Sequence, residues 1–145
     1  METIELRNNL TASLAQIYDI KAFSSLAEFL QGELHVLHHL SQNSDIEMNP
    51  SILSDHLHVS RSRMTAALST LRKKGYIKME MSENDRRRMR VIITANGEAY
   101  INEKREKVER YFDVLIEGLG EQKVNELIGL IELSVKIMNN KETQL

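Results

Sequence analysis

No cysteine occurs in the 145-residue chain. That excludes disulfides, thiolate metal sites, cysteine nucleophiles and control through an oxidisable thiol. Proline occurs once and no Gly/Ser-rich tract interrupts the chain, so no linker is evident and one ordinary domain is expected. No apolar run approaches the ~18 residues that span a bilayer, so no membrane partner is expected. The N-terminal stretch METIELRNNL has no basic region leading into an apolar one, which predicts a cytoplasmic location rather than secretion. What remains, 41% hydrophobic and 28% charged residues, is the composition of a soluble globular protein.

The formal net charge of −2 conceals an asymmetry. Residues 1–59 hold 2 Lys/Arg against 8 Asp/Glu, residues 60–93 hold 10 against 3, and residues 94–145 hold 7 against 10. A basic middle between acidic ends points to a polyanionic partner for the middle alone. Its densest part is NDRRRMR, residues 84–90, with four arginines in seven positions.

Leu6, Leu10, Leu14 and Ile17 recur at helical spacing, which predicts an amphipathic helix over the first ~22 residues. A second helix is expected over AEFLQGELHVLHHL, with Leu30, Leu34, Leu37 and Leu40 on one side, followed by a loop at SQNSD. Asn49 and Pro50 read as the N-cap and first residue of a short helix. Ser60 reads as the cap of the next, whose buried stripe is Met64, Leu68 and Leu71 and whose end is marked by Gly75. The period then falls from 3.6 to 2, so residues 77–94 predict a hairpin around SENDRRR. Thr94 can cap a long helix to about residue 117, striped by Val108, Tyr111/Phe112, Leu115 and Leu119. EGLGEQ breaks it, and Val124, Leu127, Ile128, Ile131, Val135 and Met138 mark a last helix.

Two short helices with a tight turn, then a hairpin, describe a winged helix-turn-helix. A helix entering the ~12 Å major groove needs short polar or basic side chains near its N-terminus. Ser62, Arg63, Ala66 and Ser69 turn away from the apolar stripe, with Arg61 and Thr65 at its flank and Ser60 at the cap. Arg61 and Arg63 suit guanine, and Ala66 suits a thymine methyl.

The residues from Ile52 to Gly97, ILSDHLHVSRSRMTAALSTLRKKGYIKMEMSENDRRRMRVIITANG, resemble the MarR family, the multiple antibiotic resistance regulators of bacteria. Leu53, Leu57, Val59, Ser60, Thr65, Leu71, Gly75, Tyr76 and Ile77 fall in register with that family's helix-turn-helix pattern. Asp85 and Arg87 match its D-x-R wing motif, and Thr94 and Gly97 its L-T-x-x-G. Ser54, Met64, Leu68 and Ile93 depart from the commonest residue but keep a compatible size or polarity.

The resemblance implies a mainly α fold with a small β-hairpin. It implies a winged helix-turn-helix over residues 29–94, with the helix-turn-helix at about 49–74 and the wing at about 77–94. Residues 1–28 and 95–145 become dimerisation helices that interlock in a homodimer. That fits apolar stripes in residues 1–22 and 98–138 which exceed what so small a monomer covers. The implied function is a sequence-specific regulator of transcription on double-stranded DNA, a repressor relieved by a small-molecule effector and acting on a pseudo-palindromic operator. By the D-x-R motif, Arg87 enters the minor groove and Asp85 holds the wing. Arg86, Arg88 and Arg90 lie outside the motif and are assigned general attraction to phosphate. Alternation in a regular hairpin would turn Arg86 and Arg88 away from Arg87. The effector pocket is expected between the dimerisation helices and the winged helix, and no motif marks it.

Three other readings compete. His35 and His39 sit four apart on one helical face, the spacing of a zinc-type chelate, which would make a metal-responsive regulator. A third ligand cannot be identified, and HVLHH is not the H-E-x-x-H of zinc hydrolases. His56 and His58 read as structural or phosphate-near. A winged helix can also dock proteins without binding DNA; the basic helix and wing argue against that. An enzyme would need a phosphate-binding glycine loop, a paired acid and base, or a nucleophile with its base. Ser54, Asp55 and His56 are adjacent, ~100° apart on a helix, and cannot form one. No cofactor is expected.

Overall fold

The computed structural model describes residues 2–142, excluding the Glu142 side chain. Met1 and residues 143–145, the extremes of the expected N- and C-terminal helical segments, lie outside the described residues. The elements run α1 (Thr3–Ile17), α2 (Lys21–Phe29), α3 (Gly32–Gln42), α4 (Pro50–Leu57), α5 (Arg61–Lys73), β1 (Ile77–Met81), β2 (Met89–Ile93), α6 (Ala95–Leu119) and α7 (Glu121–Glu142). They form two compact units, Met1–Val108 and Glu109–Leu145. Among the described residues no helix is long and apolar enough to cross a membrane.

The core of the first unit gathers Phe29, Leu34, Leu37 and Leu40 with Leu53 of α4, Met64, Leu68 and Leu71 of α5, Ile77 and Val91 of the hairpin, and Ile101 of α6. Side chains of this size stabilise by roughly 1.5–3 kcal/mol each when fully buried. The strands pair antiparallel from Ile77↔Ile93 to Met81↔Met89. Met48 adds a one-residue bridge on the far side of β2, where its carbonyl accepts the Val91 N–H at 2.8 Å.

The expected caps form. The Asn49 side chain accepts the Ile52 N–H, with Pro50 at the first helical position. Thr94 Oγ1 accepts the Gly97 N–H at 3.1 Å and donates to the Gly75 carbonyl at 2.7 Å. Gly75, at φ +78, closes α5 in a Schellman motif. Its N–H reaches the Arg72 carbonyl, and the Tyr76 N–H reaches that of Leu71.

Four expectations change. The N-terminal helix ends at Ile17, and the chain turns before α2 so that the Tyr18 ring meets the edge of Phe23 at 5.3 Å. The expected helix across AEFLQGELHVLHHL is broken at Gly32, whose φ of +61 is left-handed, and this leaves Leu30 exposed outside the stripe that Leu34 continues. Gly118 stays helical, so the break in EGLGEQ is confined to Gly120 at φ +83. Met81, in period two with Ile77 and Met79 and so expected on their face, is exposed.

Candidate nucleic-acid interface

The turn between α4 and α5 is three residues long, His58–Val59–Ser60, and His58 sits in the left-handed region at φ 53. Such a conformation costs a non-glycine residue about 1–2 kcal/mol. Ser60 then caps α5 by accepting the Arg63 N–H at 3.2 Å. The cap sets the rotation of the helix. Met64, Leu68 and Leu71 are buried, while Ser60, Arg61, Ser62, Arg63, Thr65, Ala66 and Ser69 are all exposed. Arg61 reaches back to donate to Ser51 Oγ at 3.0 Å, and the Thr65 hydroxyl donates to the Arg61 carbonyl at 2.9 Å. Arg63 has no side-chain partner among the described residues and projects from the first turn.

The wing tip, residues 82–88, lies between the two strands and contains a turn at Arg86–Arg87. The alternation that would have turned Arg86 and Arg88 from Arg87 therefore does not operate there. Ser82 is buried, and its Oγ accepts the N–H groups of Asn84 at 3.2 Å and Asp85 at 3.4 Å. Asp85 Oδ1 accepts the Arg87 N–H at 2.9 Å, an Asx turn, while Oδ2 lies 3.7 Å from Arg88 Nε. Arg86 and Arg87 are exposed and carry no side-chain partner among the described residues.

Arg90 is placed differently from the expectation. It stands in β2 directly across from Glu80, donates to that carboxylate at 2.8 Å, and lies 3.8 Å from Glu83. Hydrogen bonds from Lys78 and then Arg90 hold Glu80 below the usual carboxylate range, and the same contact raises Arg90. Its charge is matched within the hairpin. Lys74 is matched by Glu33, and Lys78 by Glu80. Of the basic middle, Arg61, Arg63, Arg72, Lys73, Arg86 and Arg87 have no ion-pair partner among the described residues. They lie at the two ends of α5 and at the wing tip.

The histidines assemble differently from the chelate the spacing suggested. His39 Nε2 and His56 Nδ1 are 3.1 Å apart with the rings edge to face, joining α3 to α4. Burial first, and His56 and His35 next, lower the pKa of His39. Burial first, then Arg105, lowers that of His38, whose ring lies 4.5 Å from Phe29. Among the described residues no group of three or more His, Cys, Asp or Glu is placed to hold a metal ion, so His35 and His39 are not joined by a third ligand there.

Behind the interface, the Tyr76 and Tyr100 rings stack at 4.4 Å. A Cβ added at Gly97 would collide with the Tyr76 carbonyl oxygen and the Ile93 side chain, which explains the glycine of T-x-x-G as a close approach of α6 to the hairpin.

A family model for the winged helix DNA-binding domain matches residues 33–112. The chain is similar in structure to MepR, a transcription regulator of the Staphylococcus aureus multidrug efflux pump MepA, at TM-score 0.66 and 15% identity over 95% of this chain and 99% of that one. The heme sensor PefR from Streptococcus agalactiae matches at 0.61 and 23%, over 95% of each chain. A MarR protein from Peptoclostridium difficile matches at 0.60 and 20%, over 97% of this chain and 91% of that one. At these identities the likeness is one of fold.

Proposed function

The chain belongs to the winged helix DNA-binding domain family and folds as MarR-type regulators do; from that premise we propose that it regulates transcription by gripping double-stranded DNA as a homodimer. The observation that carries the reading is the coincidence of unpaired cations with the two places a winged helix meets a duplex, the start of α5 and the wing tip. Each α5 presents Ser60, Arg61, Ser62, Arg63, Thr65, Ala66 and Ser69 to a major-groove half-site. The two half-site centres lie ~34–36 Å apart on a pseudo-palindrome. Arg87 enters the neighbouring minor groove, where narrow A·T-rich segments attract arginine. Arg86 meets phosphate. Arg88, tethered to Asp85, adds charge at the tip.

The dimer is supported within each unit separately. Leu6, Leu10 and Leu14 of α1 are about half exposed, at 57%, 58% and 49%. In the other unit Leu127, Ile128, Ile131, Val135 and Met138, the stripe of α7, are exposed as well. Rows of this kind are covered by a second copy in obligate dimers. Repression relieved by a small effector completes the proposal. An open cleft of about 530 Å³, with Leu40, Ile46, Glu47, Met48, Val91 and Glu98 in its lining, is within the size range of ligand sites. The heme sensor that shares the fold supports ligand response as a class and names no ligand here.

Selection of duplexes from a random pool, followed by salt titration of the winner, tests the reading. The expected result is an inverted repeat, and log K falling with log salt at a slope near −7 if about 8 phosphates are neutralised. Arg87→Ala should weaken binding and flatten the slope. A chain that retains no duplex at low salt would instead be a winged helix that docks protein.

A further inference from the structure

Glu47 lies in the polar segment between α3 and the Asn49 cap, and no sequence pattern assigns it a role. In the fold its carboxylate reaches 37 residues along the chain, where Oε2 accepts the Asn84 side-chain N–H at 3.0 Å. Glu47, Ser82 and Asn84 line one small surface hollow. Ser82 and Asn84 hold Glu47 below the usual carboxylate range. Ser82 in turn receives the N–H groups of Asn84 and Asp85, and Asp85 receives that of Arg87. Next along the chain, Met48 bridges Val91 of β2, and Asn49 caps α4. Hydrogen bonds through Asn84, Ser82 and Asp85 therefore link Glu47, two residues before the α4 cap, to the backbone of the wing arginine.

Two physical consequences compete at this carboxylate. As a negative charge beside a DNA-facing wing, Glu47 should oppose binding, and its removal should help. As the acceptor that fixes Asn84 and Ser82, it reduces the conformational freedom that Arg87 loses on entering a groove, and its removal should hurt. The Asn84 contact and the buried Ser82 favour the second.

We propose that Glu47 is a positioning residue for the wing, holding the 82–88 turn against the helix-turn-helix so that Arg87 is presented in one orientation. The proposal rests on the reading above, in which Arg87 enters the minor groove.

The test uses the full chain, the duplex most often recovered from the random pool, and five variants. Glu47→Ala should weaken binding about tenfold, the scale of one charge-assisted hydrogen bond. Glu47→Gln, which keeps an acceptor and drops the charge, should bind as well as the unaltered chain or better. Glu47→Ala combined with Arg87→Ala should be no weaker than Arg87→Ala alone, because a misplaced arginine and a missing one lose the same contact. Hydrogen exchange on the free protein should show faster exchange at the Asn84 and Asp85 amides in Glu47→Ala, with the α5 amides unchanged. Asn84→Ala breaks the same link and replaces Glu47→Ala if that variant does not fold. Tighter binding by Glu47→Ala, additive losses in the double variant, or unchanged exchange at the wing amides would each overturn the proposal. If Arg87→Ala itself binds normally, the minor-groove reading fails, and the exchange measurement alone still decides whether Glu47 holds the wing.

Discussion

The Asp85 carboxylate accepts the backbone N–H of Arg87 at 2.9 Å, so the motif's aspartate acts on the shape of the turn and leaves the Arg87 guanidinium free. An Asx turn needs a side-chain oxygen two residues before the N–H, and asparagine supplies one as well as aspartate does. Asp85→Asn should therefore retain most DNA affinity, whereas Asp85→Ala should approach the loss expected of Arg87→Ala. Equal losses for both Asp85 variants, measured by titration of one duplex, would assign the role to charge on Arg88 instead.

Arg63 projects from the first turn of α5 with no side-chain partner among the described residues, and in the proposed complex it would reach base edges. Arg63→Ala is expected to cost about 1–3 kcal/mol at one base-pair position if the arginine is bidentate to guanine. Binding to a panel of single-base variants of the selected duplex separates this from phosphate contact, which would lower affinity on every sequence alike. Arg61, already turned toward Ser51, should give the more uniform loss.

Gly97 approaches the Tyr76 carbonyl too closely for any side chain. Gly97→Ala must push α6 off the hairpin, and overpacking of this kind costs about 1–3 kcal/mol. Thermal unfolding should show the loss. Gly118, which has open space around it, should gain a little from the same substitution, since alanine is the better helix former by ~1 kcal/mol.

His38 and His39 have folded-state pKa values below the ordinary value of about 6.5. The unfolded chain thus binds protons more tightly than the folded one, and stability falls as pH drops below that value. The contribution is fully retained above it. Glu47 and Glu80, also lowered, bring a separate loss only at more acid pH, below the ordinary carboxylate value of about 4.3–4.5. Denaturant midpoints between pH 7 and 5 should decline, and His39→Gln should reduce the decline. A flat profile over that interval would show that these imidazoles are hydrated in solution.

The caps were legible in the sequence because each is a local chemical requirement. Asn49, Ser60, Gly75 and Thr94 each satisfy backbone groups within a few residues, and the change of period after Gly75 marked the wing. Contacts that depend on register were not legible. Arg90 faces Glu80 only because the tip occupies residues 82–88, a length that the run of charged residues does not specify. Met48, with only Ile46 beside it in a polar stretch, gave too short a period to detect, yet it bridges the hairpin. The split at Gly32 was hidden by leucines that keep helical spacing across it.

The division of the basic middle into matched and unmatched cations also bears on kinetics. At separations beyond the screening length of about 8–10 Å, a duplex meets a chain whose net charge is −2, and there is little long-range pull. The six cations of the basic middle that lack an ion-pair partner among the described residues act only once the surfaces are nearly touching. Capture should proceed near the ordinary range of about 10⁵–10⁷ M⁻¹s⁻¹ rather than the steered 10⁸–10⁹. Residence time on the operator would then carry most of the difference between the right sequence and the wrong one.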